Sequence, residues 1–268
     1  VPVSALLHSA TMVQAGVYLL VRLNPILSSL PYWQFVPYFS VISVIIGSLF
    51  ALAENHIKRI AAYSTISQTA YMFIAVTLSQ NAIPAGIFHF ISHAIFKSLI
   101  FLSVGNVIHA TGEKDIRKMG GLWRKMPFTF MAFLIGVASL ASIPPLNGFW
   151  SKEAIIEEIQ DPVLKLLADV GFVLTVMYSI RVLYRVFLKR REKVNAVEVP
   201  KTMLISPMVL ALSTFVSVLL INRIELLIGS IPFEFGITPF ILLFAGLVGS
   251  YVYYEFVPEE EKREIINT

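Results

Sequence analysis

One apolar stretch after another, each close to the length a helix needs to cross a bilayer, constrains this chain more than any other feature. A spanning helix takes about 20 mostly apolar residues. The 268 residues divide into such segments over 3–21, 35–53, 57–78, 83–110, 127–158, 164–188, 203–222 and 237–256. Hydrocarbon offers backbone groups no hydrogen-bond partner, so segments of this length are predicted to be helices. The expectation is an all-α integral membrane protein of about eight transmembrane helices. No long hydrophilic segment separates them, so residues 1–268 are expected to form a single membrane domain.

Hydrophobic residues make up 56% of the chain and charged ones 14%, which makes the bilayer its natural solvent. The absence of cysteine removes disulfides, thiolate metal sites and thiol nucleophiles. The net charge of +4 comes from basic connections, which membrane topology explains better than nucleic-acid binding, so no nucleic acid is expected as a partner. Lys58 and Arg59 follow the second span, and Lys114, Arg117, Lys118, Arg124 and Lys125 the fourth. Lys189, Arg190, Arg191, Lys193 and Lys201 follow the sixth, and Lys262 and Arg263 the eighth. The other connections hold little beyond Arg22, Lys165 and Arg223. This alternation puts the even-numbered connections and the C-terminal tail on the cytoplasmic side of a cell membrane, inner or plasma, crossed several times. The sequence enters an apolar segment directly at Val1, with neither basic leader nor cleavage site, so it is expected to be no signal peptide and to begin inside a longer protein.

The span over 127–158 is unusual. Pro144, Pro145, Asn147 and Gly148 interrupt an apolar run that resumes at Phe149 and Trp150. Two prolines remove backbone donors and clash with the preceding turn. A break at membrane depth has to sit inside protein or against a wet cavity, and broken helices of this kind mark ion and substrate sites in transporters. The alternative is a loop between a shorter span and a surface helix. Lys152 argues against it, because it lies within two turns of the break in a segment otherwise short of charge.

The fourth span carries His89, His93 and Lys97. Steps of four residues put all three on one helical face, about 6 Å apart along the axis. A lysine at the centre of a spanning helix costs roughly 2.5–3.5 kcal/mol on insertion scales, and such residues usually face an ion path. Imidazole exchanges protons near neutral pH, and burial strips away the hydration that normally fixes a lysine in its charged state. Two lysines about 8 Å apart at an effective dielectric of about 20 repel by about 2 kcal/mol. Lys97 and Lys152 at that separation would expel each other's protons. The bland alternative is that the histidines tie helices together and Lys97 reaches a headgroup.

Other polar residues leave two readings open. His8 is either a relay group or a buried structural one. Ser64, Thr65, Ser67, Gln68 and Tyr71 form a polar stripe suited to interhelical hydrogen bonds or to holding water. Lys58 sits at a helix end and is either interfacial or reaches inward. Glu153 and Glu157 either pair with Lys152 or lead to solvent, and His109 is an exit group or surface. No phosphate-cradling loop, metal-ligand cluster, nucleophile elbow or flavin fingerprint occurs, so no catalytic residue, metal or cofactor is expected.

Five pieces in order carry a resemblance over residues 1 to about 190: PVSALLHSATMVQAGVYLL, IKRIAAYSTISQTAYM, FHFISHAIFKSLIFLSVGNVIH, IRKMGGLWRKMP and PPLNGFWSKEAI. They resemble the antiporter-like subunits of respiratory complex I and their relatives in Mrp-type sodium/proton antiporters and membrane-bound hydrogenases. The SKE that follows the break is most similar to the largest complex I antiporter-like subunit or the large Mrp subunit. The resemblance implies two inverted five-helix repeats, each with a lysine at a broken helix, joined by a path of lysine, histidine and water. It implies that His8 bridges the repeats, that His89, His93 and Lys97 form the central relay, and that Lys152 is the terminal lysine. Lys58 resembles a further lysine of the family.

The family's first repeat would lie before Val1. Residues 1–33 are accordingly expected as a linking helix and 34–190 as one antiporter-like repeat with its break near 144–148. Residues 191–268 would add two further spans and the cytoplasmic tail. The function implied is translocation of protons, with sodium as the other candidate, by a subunit without its own redox centre and therefore not itself an enzyme. Its partners would be other membrane subunits and the lipid bilayer. The rival from another class is a non-conducting half-module that docks or seals neighbouring subunits.

Overall fold

The computed structural model describes residues 2–189, 195–231 and 236–256. Of the basic residues invoked for topology, Arg190, Arg191, Lys193, Lys262 and Arg263 lie outside the described residues. The helices are α1 (Pro2–Ser9), α2 (Met12–Leu27), α3 (Val36–Ala53), α4 (Ile57–Leu78), α5 (Ile83–Thr111), α6 (Pro127–Leu140), α7 (Asn147–Glu157), α8 (Pro162–Leu183), α9 (Lys201–Leu219), α10 (Ile221–Ile228) and α11 (Thr238–Phe256). The fold is an all-α membrane fold. Among the described residues, five stretches are long and apolar enough to cross a bilayer: Pro2–Leu27, Trp33–Ala53, Ile83–Thr111, Pro162–Leu188 and Lys201–Leu219. Pro127–Leu140 and Thr238–Tyr254 are shorter apolar helices. At 22 residues α4 has the length of a span but carries the polar stripe on its inner side.

Three segments differ from the sequence reading. The first span is two helices, and it runs on to Leu27 instead of ending at residue 21. At the joint, the Ser9 hydroxyl donates to the Ala5 carbonyl and Thr11 Oγ1 to Leu6 O at 3.1 Å, a carbonyl that also accepts from Ala10 N at 3.1 Å. The span over 127–158 is α6 and α7 with residues 141–146 unwound between them, and Gly148 falls in the first turn of α7, outside the unwound stretch. A Cβ at Gly148 would overlap the Ser139 carbonyl, so glycine is there for the close approach of α7 to the end of α6. The span over 203–222 ends at Leu219, and the chain continues into the short helix α10.

α4 and α5 occupy the middle, with α3 and α8 packed on one side and α6 and α9 on the other. The three basic connections lie at one end. Ile57 N donates to Lys114 O at 2.9 Å and Ile116 N to Asn55 O at 2.9 Å, which ties the α3–α4 turn to the segment after α5. Glu198 accepts from Phe128 N at 2.9 Å and Thr129 N at 3.2 Å, which brings the segment before α9 onto the start of α6. At the opposite end, Gln80 Nε2 donates to Asn24 Oδ1 at 2.5 Å and Tyr38 Oη to Asp161 Oδ2 at 2.9 Å. The alternation read from Lys and Arg therefore matches a real grouping of connections at two ends.

Candidate functional site

His89, His93 and Lys97 are fully buried on α5, and Lys152 on α7 is 1% exposed. The three α5 side chains share a face, but each turns to a different neighbour. His89 Nδ1 lies 2.9 Å from Ser151 Oγ on α7. His93 Nδ1 lies 2.8 Å from Gln14 Nε2 on α2 and 3.2 Å from Ser9 O at the end of α1. Lys97 Nζ donates to Ala61 O at 3.2 Å and to the Ser64 hydroxyl, both on α4. Both histidine Nε2 atoms are buried without a protein partner among the described residues.

The Lys152 site follows from the break in the helix. Leu140 O would ordinarily accept from the N–H four residues on, but that residue is Pro144, which has none. Lys152 Nζ donates to this carbonyl at 3.0 Å. The carboxyl end of a helix also carries partial negative charge, which suits an ammonium group. The Tyr71 and Phe172 rings flank the ammonium with centroids at 5.6 and 5.1 Å, within cation–π range. Ser139 pins the two halves of the broken helix by donating to Asn147 Oδ1 at 2.7 Å and accepting from Gly148 N at 3.1 Å.

Among the described residues neither lysine has an ion pair. Lys97 and Lys152 lie within electrostatic reach of one another, as do His89 and Lys152, and His93 and Lys97. Two ammonium groups held by carbonyl and hydroxyl acceptors, with no carboxylate, are an expensive arrangement inside a bundle, where desolvation costs several kcal/mol per ion.

The remaining candidates are spread around this centre. His8 is half-buried, its ring stacked on Phe101 at 5.1 Å and 11°, and it lines a cavity of about 510 Å³ beside α3 and α4. Lys58 is half-buried in the first turn of α4 at the basic end. Glu153 is 6% exposed and faces Glu157 one turn on, away from any pairing with Lys152. His109 is exposed and lines a cavity of about 620 Å³ with Lys125 and Glu198. Pro144 and Pro145 lie in the unwound stretch, joined by a cis peptide bond. Sequence reasoning did not single out Gln14, Ser9 and Ser151, the partners of the two histidines. Gln14 carried a signal, as an amide inside an apolar run.

Among the described residues no group of His, Asp or Glu is placed to hold a metal ion.

Residues 1–178 match the family model described as NADH:quinone oxidoreductase/Mrp antiporter, TM. The chain belongs to this family. It is 38% identical to NADH-ubiquinone oxidoreductase chain 5 of Phytophthora infestans over 95% of this chain and 43% of the relative. It is 43% identical to NADH-quinone oxidoreductase subunit L of Rickettsia bellii over 75% of this chain and 32% of the relative. Among solved structures, a chain of the Mrp complex from a Dietzia species superposes with a TM-score of 0.81 at 27% identity, covering 98% of this chain and 33% of that one. A chain of the membrane-bound sulfane sulfur reductase, an archaeal respiratory membrane complex, superposes with a TM-score of 0.70 at 27% identity, covering 87% of this chain and 42% of that one. The chain thus spans about a third to two-fifths of the length of these relatives.

Proposed function

We propose that this chain moves protons across the bilayer through Lys97, Lys152, His89 and His93, as part of a multisubunit membrane complex whose redox chemistry belongs to other subunits. The observation that carries this reading is the pair of buried lysines without a counter-charge among the described residues. Charge placed there at such cost is hard to explain as structural support, because apolar residues of the same volume would serve better.

The His93 environment supports proton exchange. Deprotonated, Nδ1 accepts from the Gln14 amide, and protonated, it donates to Ser9 O, so both states have a partner in place. A metal cation is a poorer fit than a proton. The oxygens at the site, Ala61 O, the Ser64 hydroxyl and Leu140 O, are taken by the two lysines, whose ammonium charge would repel sodium. His8 extends the path toward the flank of α3 and α4, and Glu153 and Glu157 extend it from Lys152 toward solvent. Lys58 and His109 are accessory groups at the basic end.

In this reading α3, α4, α5, the broken pair α6 and α7, and α8 make one five-helix antiporter-type unit over residues 34–190. Residues 1–33 link it onward, and α9 and α11, taken as the two further spans, pack against α5, α6 and α8. The end bearing the basic connections faces the cytoplasm.

The test uses the full-length protein in its complex, reconstituted in vesicles with an internal pH-sensitive dye. Lys97→Ala should abolish proton uptake while the complex still assembles. Uptake at the unsubstituted rate in an assembled complex would overturn the proposal.

A further inference from the structure

Ser9, Gln14 and His93 form a buried triangle at the joint between α1 and α2. Gln14 Nε2 donates to Ser9 O at 2.9 Å and lies 2.8 Å from His93 Nδ1, and Nδ1 lies 3.2 Å from the same Ser9 O. Ser9 is also tied to the helix that bears the histidine, since Ser98 Oγ of α5 donates to Ser9 Oγ at 2.7 Å. The carbonyl and the ring are therefore held against one helix.

The Ser9 carbonyl decides which way the Gln14 amide lies. A glutamine amide carries two N–H hydrogens on its nitrogen and only lone pairs on its oxygen. As it stands, one hydrogen goes to Ser9 O and the other to Nδ1. Turned over, Oε1 would face the Ser9 oxygen at 2.9 Å, acceptor against acceptor. The N–H pair would then occupy the place where Oε1 now has no protein partner among the described residues. Only the first arrangement satisfies the carbonyl.

An imidazole nitrogen that accepts a hydrogen bond carries no hydrogen of its own, so the neutral ring keeps its single hydrogen on Nε2. Gln14 thereby occupies the Nδ1 lone pair, the one place where the neutral ring can take a second proton. An apolar side chain at residue 14 would leave Nδ1 facing Ser9 O alone. The ring would then gain by carrying its hydrogen on Nδ1 and donating to that carbonyl.

We propose that Gln14 is a positioning residue that fixes neutral His93 in the Nε2–H form and competes with the travelling proton for Nδ1. When the ring is charged, one N–H bond has formed at Nδ1, the ring carries one positive charge, and no electrons have been exchanged. The Gln14 amide turns away, and Ser9 O passes from the glutamine donor to the histidine donor. The competition rests on the relay reading above, which supplies and removes that proton, whereas the form of the neutral ring does not depend on it.

The test uses the full-length protein in its complex in lipid vesicles, with the histidine ring nitrogens and carbons isotopically labelled. Solid-state NMR that correlates each ring nitrogen with its neighbouring carbons shows which nitrogen is protonated, and the His93 signals are those missing from His93→Gln. At alkaline pH the parent should show hydrogen on Nε2. Gln14→Met, of nearly the same length but without an N–H, should show it on Nδ1, a change that a purely structural role would not produce. The same variant should slow proton uptake in dye-loaded vesicles about fivefold, the rate equivalent of one ordinary hydrogen bond. Hydrogen on Nδ1 in the parent would overturn the proposal without any Gln14 variant, and so would hydrogen still on Nε2 in assembled Gln14→Met. A switched ring with unaltered uptake would overturn the competition for Nδ1. Full uptake in Lys97→Ala would instead sink the relay reading and leave the form of the neutral ring untouched.

Discussion

Lys97 of α5 rests its ammonium group wholly on α4, donating to Ala61 O at 3.2 Å and to the Ser64 hydroxyl. The Ala61 carbonyl is contested, because Ser64 Oγ also reaches it at 2.9 Å and Thr65 Oγ1 at 3.0 Å. Hydrogen bonds to a charged group contribute about 1.5–3 kcal/mol. Ser64→Ala should therefore lower the thermal midpoint of the purified complex and slow proton uptake, whereas Ser64→Thr, which restores a hydroxyl, should recover both. A Ser64→Ala variant with unaltered uptake would show that the hydroxyl is dispensable to Lys97.

Gly148 makes a second, sharper claim. A Cβ there would overlap the Ser139 carbonyl at the end of α6. Overpacking of this kind costs about 1–3 kcal/mol, and here it would push Lys152 away from Leu140 O. Gly148→Ala should reduce the amount of assembled complex recovered from membranes and slow uptake in what remains. Gly112, with φ at 68° and open space where a methyl group would stand, is the contrast. Gly112→Ala should cost only the backbone penalty of about 1–2 kcal/mol and leave transport intact. Equal effects at the two positions would refute the close-approach account.

The site was partly legible in the sequence because two kinds of information are local. Steps of four residues fix His89, His93 and Lys97 on one face, and the missing N–H of Pro144 fixes a free carbonyl at Leu140. What the steps could not fix is which helix each side chain meets, since that depends on how α1, α2, α4 and α7 pack around α5. The joint between α1 and α2 was hidden for another reason. Only the short polar run His8, Ser9 and Thr11 marks it, and isolated polar residues of this kind also occur inside unbroken helices such as α4.

The turn after α5 should respond to acid. Glu113 accepts from Asp115 N at 2.9 Å and Lys114 N at 2.7 Å, and these backbone donors hold its carboxyl below the ordinary carboxylate range. Burial pushes Asp115 up, but the Arg117 guanidinium and backbone N–H outweigh it and hold that carboxyl down as well. Folded values below the unfolded ones mean that the stabilisation is complete above about pH 4, the unfolded range, and is lost as pH falls through the folded values. Amide exchange over residues 113–118 should stay constant, after correction for intrinsic rates, from pH 7 to about pH 5 and accelerate below about pH 4. In Asp115→Asn that acceleration should be smaller. The same acid response in variant and parent would rule out Asp115 as a contributor.

Arg181 reaches from the end of α8 to the α3–α4 turn, donating through Nη1 to Glu54 O at 2.6 Å and through Nη2 to Asn55 Oδ1 at 2.7 Å. It is 5% exposed, so its charge is desolvated and its planar fork is committed to this turn. The turn in turn bonds Ile57 N to Lys114 O at 2.9 Å and leads into the first turns of α4, where Ala61 and Ser64 hold Lys97. Arg181 thus fixes the height of α4 against α5 from a distance. Arg181→Leu should leave Glu54 O without its donor and destabilise the protein by about 2–4 kcal/mol, the cost of two charge-assisted bonds offset in part by easier burial. Arg181→Lys supplies a charge without the two-pronged geometry, so it should recover only part of that loss. A thermal melt of the purified complex reads both changes. An Arg181→Leu variant melting with the parent would mean that the turn is held by its bonds to the α5–α6 segment alone.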